Sequence, residues 1–108
     1  MSKRVKEIFK HAFETKPPRL IVKAVREYWA LNGITKHITV ADIKVFLHRL
    51  DELKNLHKIK QVSKLKPIIK DYDKHLKYFI DEPPFCWFVN TEKVHRHIRK
   101  YKKLWRLD

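Results

Sequence analysis

Ile59-Lys60-Gln61-Val62-Ser63-Lys64-Leu65 and Phe85-Cys86-Trp87-Phe88-Val89 are the stretches whose reading decides the fold. Short runs of β-branched and aromatic residues bounded by turn formers favour extended backbone. The second run follows Glu82-Pro83-Pro84, which interrupts any element before it. The two runs predict a small antiparallel hairpin. Between them, Ile68, Tyr72, Leu76 and Phe79 have helical spacing after Pro67, while Leu76 to Ile80 also fits an extension of the hairpin; the hairpin is the reading taken.

Outward from this region the pattern turns helical. Ser2 is a candidate cap for a helix to about Glu14, with Val5, Ile8, Phe9, Ala12 and Phe13 on one face. Pro18 suits the first turn of a second helix reaching Asn32, whose apolar arc of Leu20, Ile21, Ala24, Val25, Tyr28, Trp29 and Leu31 marks it as central. Gly33 is its stop. Thr39 and Asp42 form a capping-box pattern opening a third helix to about Leu56, with Val40, Ile43, Phe46, Leu47, Leu50 and Leu53 inward. Asn90 or Thr91 caps a last helix, in which Val94, Ile98, Tyr101 and Trp105 oppose Arg96, Arg99, Lys100 and Lys103. The expected fold class is mainly α with a small antiparallel β hairpin (α+β). It forms one domain over 1–108: a three-helix core (1–57), a hairpin region (58–90) and a basic C-terminal helix (91–108).

Charge points to the partner. Lys and Arg total 26 against 12 Asp and Glu, a net +14, yet 44% of the residues are hydrophobic and 12% aromatic. That is too apolar for a disordered basic tail, so the charge lies on a shaped surface suited to a polyanion. Residues 1–27, 58–80 and 91–108 each carry +5, whereas 39–57, the third helix, carries zero. Gly33 is the single glycine, which excludes the glycine-rich phosphate loops of nucleotide-binding enzymes. The lone Cys86 has no disulfide partner in the chain, and no run approaches a signal peptide or membrane span. These features lead us to expect a soluble cytoplasmic protein, nucleoid-associated or nuclear in a eukaryote, that makes no membrane contact.

The order of elements, with Phe46, Leu50 and Leu53 ending the third helix and Ile59 entering the next element, resembles the winged helix-turn-helix domain of small archaeal and viral regulators. The resemblance spans roughly residues 3–90. It implies a third helix in the major groove, with Lys44 and His48 facing the bases and Arg49 on the flank, and a wing carrying Lys60, Lys64 and Lys66. Arg96, Arg99, Lys100 and Lys103 of the closing helix add phosphate contacts, which supply affinity without sequence information.

No catalytic set stands out. His95 and His97, two apart on a helix, point about 160° away from each other and cannot share one ion. Asp71, Asp73 and His75 would share a face only on a strand. Cys86 between Phe85 and Trp87 reads as an inert thiol. Tyr78, Phe79, Trp87 and Phe88 beside lysines permit a stacking surface for single strands, although a small core claims most aromatics. The expected function is non-enzymatic binding of duplex DNA, as a transcriptional regulator or architectural factor, without cofactor or metal. RNA or ribosome association is the alternative, followed by a protein-interaction module of a nucleic-acid machine. Exposed aromatics also allow a homodimer.

Overall fold

The stretch from Ile59 to Leu65 is the end of a link and the start of a helix. In the computed structural model, which describes residues 3–106, no strand occurs among the described residues. The order is α1 (Lys3–Thr15), α2 (Pro18–Leu31), α3 (Val40–Lys54), a 3₁₀ turn (Leu56–Lys58), α4 (Val62–Lys74), 3₁₀ turns at Leu76–Tyr78 and Phe85–Trp87, and α5 (Thr91–Trp105). The expected hairpin is absent, and with it the wing. The winged helix-turn-helix resemblance and the α+β class are therefore corrected to an all-helical fold.

The cause lies in the spacing of the apolar residues. Leu65, Ile68 and Ile69 are buried and Tyr72 is half-buried, a three- and four-residue period that reaches back to Val62 and outweighs the alternation. Pro67 falls inside α4 instead of opening a helix. Its missing N–H leaves the Ser63 carbonyl without a helical partner, and exposure of both residues lets water serve instead. With no strand opposite, Phe85–Val89 closes its hydrogen bonds locally: the Trp87 and Phe88 amides donate to the Pro84 and Phe85 carbonyls, both at 3.1 Å. A strand would send alternate side chains to opposite faces. The turn, which follows a cis Pro83-Pro84 bond, instead packs Phe85, Trp87 and Phe88 against one core.

The helix ends follow their residues. Thr39 Oγ1 accepts from the Asp42 amide at 3.2 Å and Asp42 Oδ2 accepts from the Thr39 amide at 3.0 Å, completing the capping box of α3. Asn90 caps α5 by accepting from the Lys93 amide. Gly33, at φ 68°, ends α2 in the left-handed region. The Ile34 amide returns to the Trp29 carbonyl and the Gly33 amide to that of Ala30, a Schellman closure. The following connection is tied down by Arg26, which donates from Nε and Nη2 to the carbonyl of buried Ile38. Ser2, the expected cap of α1, lies outside the described residues.

Phe85 is the centre of the core. Its ring lies 4.7 Å from Phe79, 4.8 Å from Phe46, 6.0 Å from Phe13 and 6.3 Å from Trp29, so one 3₁₀ turn joins α1, α2, α3 and the Leu76–Tyr78 turn. Edge-to-face pairs such as these add to the burial of their apolar area. α5 closes the molecule with Val94, Ile98 and Tyr101 inward, and the Tyr101 hydroxyl donates to the Leu56 carbonyl. Among the described residues, no helix is long and apolar enough to cross a membrane.

Candidate nucleic-acid interface

On α4, residues four apart stand nearly above one another, rising about 6 Å per step. Lys66, Lys70 and Lys74 have this spacing and are all exposed. Lys66, Lys70 and Lys74, with Ile69 and Asp73, also line a shallow surface concavity. On α5, Arg96, Arg99, Lys100 and Lys103 are exposed opposite the buried Val94, Ile98 and Tyr101. Lys100, Lys103 and Arg106, with Leu104, border a second concavity at its C-terminal end.

Two contacts hold these helices side by side. Lys102 Nζ lies 2.6 Å from Asp73 Oδ1. The Tyr72 hydroxyl meets His95 Nδ1, and His95 Nε2 lies 2.7 Å from Asp81 Oδ1. Desolvation raises the pKa of Tyr72, with Asp73 and Asp81 adding to the shift and Arg99 opposing it. The phenol therefore stays protonated and donates to Nδ1, which leaves the Nε2 proton for Asp81. This chain is a strut linking α4, α5 and the Asp81 segment. The effect of Arg99 on Tyr72 also places the α5 cations beside α4.

The acids account for the surface charge. Asp71 of α4 is drawn to Arg49 of α3 and Asp73 to Lys102, so both α4 carboxylates serve internal pairs. On α5, Glu92 sits in the first turn, away from the cation rows. None of Lys66, Lys70, Lys74, Arg96, Arg99, Lys100, Lys103 and Arg106 takes part in an ion pair among the described residues. Clustered like charges of this kind repel one another unless an anion offsets them. The same field reaches the adjoining turn. His57 is held below its ordinary pKa by desolvation and then by Lys93, Lys58, His97 and Lys60.

No family model, curated protein or solved structure matches this chain. Its chemistry therefore has to be read from its own residues.

The residues expected from the sequence divide three ways. Lys66, Arg96, Arg99, Lys100 and Lys103 fall on the joint α4–α5 surface. Lys60 is exposed in the link before α4, and Lys64, two residues before Lys66, points about 160° away from it, so the expected wing cluster is split. Lys44 and His48 are exposed on α3, but Asp51 shares their side of the helix and leaves it neutral. Arg49 is engaged within the fold: Nε lies 2.7 Å from Asp71 and Nη1 2.8 Å from Glu52. Desolvation works against its charge, but the bonds to Glu52 and Asp71 outweigh that and raise its pKa. Lys70 and Lys74 were missed by the sequence reading, although their four-residue spacing from Lys66 was visible. Among the described residues no cluster of three metal-ligating side chains occurs. Asp71, Asp73 and His75 turn to Arg49, Lys102 and Asp42 respectively. Desolvation raises the pKa of Cys86, which keeps the thiol protonated.

Arg49→Ala is accordingly expected to act on stability. Loss of this partly buried bridge leaves Asp71 and Glu52 unpaired and costs about 1–2 kcal/mol. Chemical denaturation should show the loss, with nucleic-acid affinity unchanged once the fraction folded is accounted for.

Proposed function

We propose that this chain is a non-enzymatic nucleic-acid-binding protein that holds the phosphate backbone of duplex DNA on the joint face of α4 and α5, as an architectural factor. The observation that carries this reading is the pairing of both α4 acids inside the fold, which leaves the Lys66–Lys70–Lys74 row and the α5 cations unopposed. Backbone contacts supply affinity without sequence information, and the neutral outer face of α3 offers little for reading bases. That same neutrality favours a second reading, RNA binding, since phosphate gripping does not distinguish the two polymers by charge.

The test is binding to duplex DNA over a range of salt, with structured RNA as competitor. Each neutralised phosphate on duplex DNA contributes a slope of about −0.9 in log K against log salt, so contacts from both rows should give roughly −4 or steeper. A slope near −1 would rule out the phosphate-gripping reading. RNA competing as well as duplex DNA, with no duplex motif enriched from a random pool, would replace the duplex reading with the RNA one.

A further inference from the structure

Four aromatic residues lie near lysines in the sequence, and the fold withdraws three of them. Phe79 is 1% exposed, while Trp87 and Phe88 pack against Phe9 and Phe13. Tyr78 remains, 58% exposed, in the 3₁₀ turn that follows α4. Its ring lines a surface concavity with Lys36, His37 and Lys77. Lys77 Nζ stands 5.2 Å from the ring centroid. Lys36 is fixed at the rim by Glu82 at 3.0 Å, which also neutralises the nearby carboxylate.

An open aromatic face with a basic rim is the chemistry that receives an unpaired nucleobase: the ring stacks on the base and the cations meet its phosphate. A base inside a duplex is already stacked on its neighbours and gives up that stacking to reach such a ring. A base in a single-stranded extension has no such cost. The approach is also supplied. Lys66, Lys70 and Lys74 run along α4 toward its C-terminal end, and Tyr78 lies four residues beyond Lys74. A strand following the lysine row is delivered to the tyrosine.

Resting on the reading of α4–α5 as a phosphate-gripping surface, we propose that Tyr78, Lys77, Lys36 and His37 form a stacking site for one unpaired base, and that the favoured ligand is duplex DNA with a single-stranded overhang.

The experiment compares a blunt duplex with the same duplex carrying a short overhang that contains 2-aminopurine. Binding is followed by anisotropy at fixed salt, and stacking by quenching of the 2-aminopurine. The overhang should bind on the order of tenfold more tightly than the blunt duplex, with quenching. Tyr78→Ala should abolish both the advantage and the quenching while leaving blunt-duplex affinity in place, and Tyr78→Phe should keep both. Equal affinity for the two duplexes, or an advantage that survives Tyr78→Ala, would overturn this inference and leave the phosphate-gripping surface standing. Failure to bind either duplex at low salt would overturn both. Tyr78 is exposed, so its substitution should leave the fold intact, which a melting curve checks.

Discussion

Phe85→Ala is expected to destabilise the protein by about 3–5 kcal/mol, the usual range for emptying an aromatic core site. Phe85 is fully buried, and its ring meets Phe13, Trp29, Phe46 and Phe79. These neighbours come from α1, α2, α3 and the loop after the Leu76–Tyr78 turn, so no one element can move in to fill the space. Collapse around the cavity would have to shift several helices together, which places the cost toward the upper end. Domains of this size are stable by about 5–15 kcal/mol in total. Thermal unfolding should therefore start from a melting temperature lower by about 15 °C or more. Phe88→Ala is the comparison, because Phe88 is only partly buried and should cost visibly less. Equal losses at the two positions would mean that Phe85 is not the centre of the core.

That centre was illegible in the sequence for a specific reason. Phe85-Cys86-Trp87-Phe88-Val89 has the composition of a strand, and composition reports which side chains are to be buried, not along which backbone. A strand needs a partner, and the candidate partner at Ile59–Leu65 belongs partly to α4. Pro67 added to the confusion, since a proline is expected at the first turn of a helix and here lies well inside one. The helices whose ends carry their own chemistry were legible: Pro18 at the start of α2, Gly33 at its end, the Thr39 and Asp42 box of α3 and Asn90 before α5. The outward cations of α5 were legible for the same reason, because a clean apolar face fixes the opposite one. Arg49 was misplaced because its partner Asp71 is 22 residues away and no local spacing connects them. The joint surface was invisible as a surface because it depends on α4 being a helix.

Replacing Lys66, Lys70, Lys74, Arg96, Arg99 and Lys103 together by alanine is expected to remove nucleic-acid binding, by on the order of a hundredfold or more at low salt. Every one of these side chains is exposed and none takes part in an ion pair among the described residues, so the substitutions take away charge without breaking a contact. Alanine also favours helix, and relief of like-charge repulsion acts in the same direction, so the variant should melt no lower than the parent. If each cation neutralises one phosphate, the slope of log K against log salt should become shallower by about 5. The loss should be the same for duplexes of different sequence, because phosphate contacts carry no base information. A matched variant, Lys44→Ala with His48→Ala, removes exposed polar side chains from the neutral face of α3 and should change affinity little. Retained affinity and slope in the six-site variant would remove the α4–α5 surface from the binding reaction. A large loss in the α3 variant instead would return the contact to the third helix, even though that helix carries no net charge.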